Sequence, residues 1–163
     1  MATGQIRTIL VPTDFSEGAA TAFEWARTLA LAFRAEIVLL HVIDLSYAWT
    51  PISGLGAIPT PASAEIVERV TADVQRAFDT MTAGAPEVTR RLLRKGHPRE
   101  VILEVTQEIG ADVIVMGTHG RRGFSHLFIG SVAEHVVRQA PIPVWTSRAR
   151  AKRAEEPAGA IQG

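Results

Sequence analysis

The chain contains no cysteine. That single absence removes disulfides, thiolate metal sites, iron–sulfur clusters and cysteine nucleophiles together, and it suits a reducing compartment. Charge of one sign is also missing. Lys and Arg number 17 and Asp and Glu 17, so no global field draws the molecule onto nucleic acid or an anionic membrane. No window approaches the roughly 18 uninterrupted apolar residues of a membrane span. The opening Met1-Ala2-Thr3-Gly4-Gln5-Ile6-Arg7 lacks the basic segment and apolar core of a secretory signal. The expectation is a cytoplasmic protein with no membrane and no nucleic-acid partner. Lysine is confined to Lys95 and Lys152, and no nucleophile stands beside a base, so a dedicated catalytic constellation is not visible.

What is present is enough for one domain: 163 residues, 47% hydrophobic and 21% charged, a globular rather than a disordered balance. The neutrality hides an asymmetry. Residues 1–87 hold 5 basic and 10 acidic side chains, whereas residues 88–153 hold 12 basic and 5 acidic. The second part could favour an anion, or the two parts could interleave as ordinary charged surface.

Periodicity gives the elements. Arg7 to Val11 is a short β-prone run stopped by Pro12, and Glu36 to Val42 is nearly all apolar. Between them Ala19, Ala22, Phe23, Ala26, Leu29, Ala30 and Phe33 recur at helical steps from a start near Ser16. Residues 44–62 carry Pro51, Gly54, Gly56, Pro59 and Pro61 and read as an irregular loop. A second helix from about Ser63 has Ile66, Val70, Val74, Ala77, Phe78 and Met81 as its stripe. Val88 to Arg94 reads as a more exposed strand near a sheet edge.

Pro98 opens a third helix, buried through Val101, Ile102, Val105 and Ile109. Asp112 to Met116 is a fourth strand. Ser131, with Glu134 three residues on, shows the capping-box pattern of a fourth helix whose apolar side is Val132, Val136, Val137 and Ala140. Val144 to Thr146 is a last short strand. Five strands alternating with four helices predict an α/β fold, an open doubly wound five-stranded parallel sheet with helices on both faces. Residues 1–147 form the single domain, and 148–163 are expected to be a disordered polar tail.

In such sheets ligands sit beyond the carboxyl ends of the strands where strand order reverses, which selects the loops after the first and fourth strands. The later loop has the spacing Gly117-x2-Gly120-x9-Gly130-Ser131. Glycines admit a ligand close to the backbone, and free N–H groups at a helix start cradle phosphate. Neither a Walker A sequence nor Gly-x-Gly-x-x-Gly is present. Glycines also end strands and make turns, so the loop alone leaves both readings open.

Over residues 6–147 the chain resembles the universal stress protein family. The resemblance rests on Ile9-Leu10-Val11-Pro12-Thr13-Asp14-Phe15-Ser16, Leu40-His41-Val42, Met116-Gly117-Thr118-His119-Gly120 and Gly130-Ser131-Val132. The glycine spacing marks the branch that resembles ATP binders. The resemblance implies a Rossmann-like fold of the adenine nucleotide alpha hydrolase type and a stress-response role. It further implies ATP or AMP as ligand, with Mg²⁺ entering only alongside the nucleotide, and no structural metal. By position it implies that Pro12, Thr13 and Asp14 meet adenine and ribose and that Val42 edges the base. Met116, Gly117 and Gly120 follow ribose and phosphate, His119 assists, and Gly130, Ser131 and Val132 hold the phosphates.

Asp14 has a local alternative, assistance to the helix N-terminus. His41, inside an apolar strand, reads as a hydrogen-bonded core histidine. In the family a strand like the last one pairs with its copy, which implies a homodimer through Val144, Trp145 and Thr146. Three functions are weighed: a regulatory nucleotide-binding module with little or no catalysis, a slow Mg-dependent ATPase or phosphotransferase using Asp14 and His119, and a nucleotide-free dimeric scaffold.

Overall fold

The structure, a computed structural model, describes residues 5–44, 49–52, 56–59, 64–118 and 130–149. Among them the elements run β1 (Thr8–Pro12), α1 (Glu17–Phe33), β2 (Glu36–Ile43), β3 (Trp49–Ile52), β4 (Gly56–Pro59), α2 (Ala64–Met81), β5 (Val88–Lys95), α3 (Pro98–Glu108), β6 (Val113–Gly117), α4 (Ser131–Gln139) and β7 (Val144–Ser147). Five strands form one sheet in the order β5-β2-β1-β6-β7, and every pairing in it is parallel. This is the doubly wound arrangement expected from the sequence.

Each strand alternates its side chains between two covers. Ile9, Val11, Ile37 and Leu39 join Ala22, Phe23, Ala26 and Ala30 of α1 and Val74 and Phe78 of α2 in one buried cluster. Leu10, Val38, Leu40 and Met116 join Val101, Ile102 and Val105 of α3 and Ala133 and Val136 of α4 in the other. Strands apolar on both faces are buried on both faces, which is why β1 and β2 carry no polar alternation. β5 stands at the edge, as its mixed pattern predicts. At the amino ends of the strands, Asp112 accepts from the backbone N–H of Arg7 and Thr8 at 2.8 and 2.9 Å and so locks β1 to the start of β6.

Three expectations are corrected. The segment 44–62 is not all irregular: β3 and β4 pair antiparallel, with Trp49 opposite Pro59 and Ile52 opposite Gly56. The N-cap of α4 is Gly130, not Ser131, and among the described residues no side chain caps the helix. The Glu134 carboxylate accepts instead from Arg138 one turn on, at 3.1 Å. On the same helix Val137 is exposed, and Ala133 takes the buried position. The expected tail begins where β7 ends, and residues 150–163 lie outside the described residues.

Candidate functional site

β1 lies at the centre of the sheet, with β2 on one side and β6 on the other. The chain winds one way from β1 and the other way from β6. The reversal therefore falls between their carboxyl ends, where a doubly wound sheet opens a crevice, here beside the turn after β1 and Thr118 after β6.

The turn after β1 is built almost wholly from its own side chains. Thr13, 7% exposed, extends the ladder by donating its N–H to the Leu40 carbonyl at 2.8 Å. Its hydroxyl accepts from the Phe15 N–H at 3.0 Å and lies 3.6 Å from the Met81 sulfur. One carboxylate oxygen of Asp14 accepts from the Ser16 N–H at 3.0 Å. Ser16 in turn caps α1, its hydroxyl accepting from the Ala19 N–H. Asp14 thus meets the local expectation of helix-start assistance, and it does so at the mouth of the crevice. Phe15 has φ 62°, a left-handed backbone that costs a bulky L-residue about 1–3 kcal/mol and persists only where surroundings enforce it. The enforcement is visible: its ring packs on His41 at 4.9 Å and edge-on to Phe78 at 5.4 Å.

Across the crevice, Thr118 ties three segments together. Its N–H donates to the Ser147 carbonyl of β7 at 2.8 Å, its hydroxyl to the same oxygen at 3.2 Å, and its own carbonyl accepts from the Gly130 N–H at 2.6 Å. Thr118 and Gly130, which flank residues 119–129, therefore meet at one point. Gly130 hands directly into α4, whose first N–H groups have no intrahelical partner and, among the described residues, no side-chain cap. That end of a helix attracts anions. Ser131 at its first position is exposed, and Val132 is half-buried.

The remaining predicted residues fall as follows. Pro12 is buried beneath the turn and Val42 is half-buried on the α3/α4 side. The Met116 side chain is buried in that same core, so only its backbone can face a ligand. Gly117 abuts α1: a Cβ there would stand 2.8 Å from the Gly18 carbonyl carbon. His119 and Gly120 lie outside the described residues. Among the described residues no group of three or more His, Cys, Asp or Glu could hold a metal ion, and no helix is long and apolar enough to cross a membrane.

Thr118 and Phe15 stand in the sequence motifs without a role of their own: Thr118 lies between two glycines that draw the attention, and nothing in a one-dimensional pattern announces that Phe15 is left-handed. On the outer edge of the sheet Val144 is half-buried while Trp145 and Thr146 are exposed. The Trp145 ring, 42% exposed, lies 5.7 Å from that of Trp25 on α1, 45% exposed.

Comparison with known proteins places these features in context. The profile of the universal stress protein family matches residues 5–148. A universal stress protein of Thermus aquaticus is 34% identical over 140 residues, covering 85% of this chain and 96% of that protein. One from Methanocaldococcus jannaschii is 27% identical over 147 residues, covering 83% and 91%. Its solved structure superposes with a TM-score of 0.75 over 90% of this chain and 99% of that one, at 25% identity. A universal stress protein solved in complex with cAMP, 22% identical, shares the fold with a TM-score of 0.61 over 90% and 99%.

Proposed function

The chain belongs to the universal stress protein family, and from that premise we propose that it is a stress-response type regulatory module that binds ATP or AMP and catalyses little or nothing. The observation that carries this reading is the uncapped start of α4 at Gly130, drawn by its bond to Thr118 to the point where strand order reverses. A helix N-terminus there suits a phosphate group, and the ordered turn at Thr13 and Asp14 suits the ribose and base. In this reading Pro12, Thr13, Asp14 and Val42 meet the nucleoside. The backbone of Met116 and Gly117, with His119 and Gly120, follows ribose and phosphate, and Gly130, Ser131 and Val132 hold the phosphates. Mg²⁺ enters only with the nucleotide. Occupancy then acts by favouring one arrangement of the surrounding loops over another.

Calorimetric titration of nucleotide-free protein with ATP and AMP, with and without Mg²⁺, tests this. Saturable one-site binding without phosphate release supports the regulatory module. Metal-dependent phosphate release that disappears in Asp14→Ala supports the slow ATPase instead. Absence of binding leaves the dimeric scaffold.

Self-association fits the same molecule. β7 ends the described sheet, and an unpaired edge bearing exposed indole surface is a place where a second copy adds its own strand. In this reading Val144, Trp145 and Thr146 pair with their counterparts across a two-fold axis, and the Trp25–Trp145 pair is covered.

A further inference from the structure

His41 is the one titratable side chain of β2's carboxyl half directed at the turn after β1, and two contacts of its own, with one made by its neighbour Leu40, define what it does there. Its Nδ1 lies 2.8 Å from the Thr13 carbonyl oxygen. That oxygen only accepts, so Nδ1 carries the hydrogen and donates, which fixes the tautomer of the neutral ring. The ring lies 4.9 Å from that of Phe15 at an interplanar angle of 32°. One residue earlier on the same strand, the Leu40 carbonyl accepts from the Thr13 N–H. Both polar groups of the Thr13 backbone are therefore held by β2, one by main chain and one by His41.

These contacts bear on the strained residue. Phe15, at φ 62°, has its N–H held by the Thr13 hydroxyl and its ring packed on both His41 and Phe78. Asp14 sits between the two residues that His41 touches. A change that frees the Thr13 carbonyl or removes the ring beneath Phe15 lets the turn relax toward ordinary backbone angles, and Asp14 leaves its place with it.

We propose that His41 is a positioning residue: by donating Nδ1–H to the Thr13 carbonyl and supporting the Phe15 ring, it holds the Thr13–Ser16 turn in the strained form that presents Asp14 to the nucleotide. The proposal rests on the nucleotide-binding reading for its last clause alone, since the hold on the turn exists without ligand.

The test separates the two. Long-range ¹H–¹⁵N NMR of the wild-type protein without nucleotide, at alkaline pH, should show His41 as the Nδ1–H tautomer; the Nε2–H tautomer would overturn the proposal. His41→Phe keeps an aromatic ring against Phe15 and deletes the donor. It should leave far-UV circular dichroism unchanged, displace the backbone amide signals of Asp14, Phe15 and Ser16, and weaken ATP binding about tenfold, the loss expected for one well-placed hydrogen bond. His41→Asn, which restores a donor near the Nδ1 position, should recover a large part of the affinity that His41→Phe loses. Wild-type affinity and unmoved amide signals in His41→Phe would refute the positioning role. If the wild-type protein binds neither ATP nor AMP, the functional reading fails, and the tautomer and amide signals still decide whether His41 holds the turn.

Discussion

A Cβ on Gly117 would stand 2.8 and 2.9 Å from the carbonyl carbon and oxygen of Gly18, so this glycine is required by the approach of α1 to the end of β6. Gly117→Ala forces the helix and the strand apart and should destabilise the protein by about 1–3 kcal/mol, as overpacking does in well-packed sites, read as a fall in the midpoint of thermal or urea unfolding. Gly130 differs. Its φ of −59° and ψ of 147° are open to any residue, so its backbone does not demand glycine. On the functional reading the missing side chain leaves room for phosphate. Gly130→Val, at an N-cap where valine is less favoured than glycine, should lower stability by no more than about 1 kcal/mol, keep the helicity of the wild type and lose nucleotide affinity, a combination that calorimetry and circular dichroism together detect. The sequence placed both glycines in one signature; their separate reasons were not legible there, because one depends on Gly18, far away in the chain, and the other on dihedral angles.

Among the elements, α1 shows how well local chemistry can be read and where it stops. Its stripe from Ala19 to Ala30 and its start at Ser16 follow from helical spacing and from a residue that caps, whereas Phe33, expected on the same face, is exposed in the last turn. Its end does not: the C-cap is Arg34 at φ 56°, a left-handed position without the glycine that usually marks one. Arg34→Gly should relieve that strain and raise stability by about 0.5–1 kcal/mol, measurable as a higher unfolding midpoint with an unchanged denaturant slope. At α4 the motif misled in the other direction. Ser131 and Glu134 have capping-box spacing, yet the helix begins one residue earlier and Glu134 pairs with Arg138. The β3–β4 hairpin was hidden because its strands carry Pro51 and Pro59, residues that normally argue against a ladder.

At the scale of the whole molecule, the parallel sheet and its two covers follow from the alternation of buried runs with amphipathic helices, and the reversal of strand order follows from right-handed crossovers. The candidate site was legible in outline, since both loops at the reversal carry the family's residues, while the hydrogen bonds that assemble it join Thr13 to β2 and Thr118 to β7 across long stretches of chain. Of the exposed surface pairs, Arg91 with Asp79 bridges the acidic and basic parts of the chain, while Arg94 with Glu108 and Arg138 with Glu134 lie within the basic part; such pairs contribute little to stability. Association through β7 predicts a dimer by light scattering that Trp145→Arg converts to a monomer with unaltered helicity; a Trp145→Arg protein that stays dimeric would remove β7 from the interface. Nucleotide binding at the crevice between β1 and β6 underlies the proposed function. Its most direct measurement is to denature freshly purified protein, identify any released small molecule by chromatography and mass spectrometry, and titrate the emptied protein with ATP and Mg²⁺. An adenine nucleotide approaching one per chain, or an empty protein that binds ATP at one site, is the expected result. A protein that releases no nucleotide and ignores added ATP and AMP would contradict it.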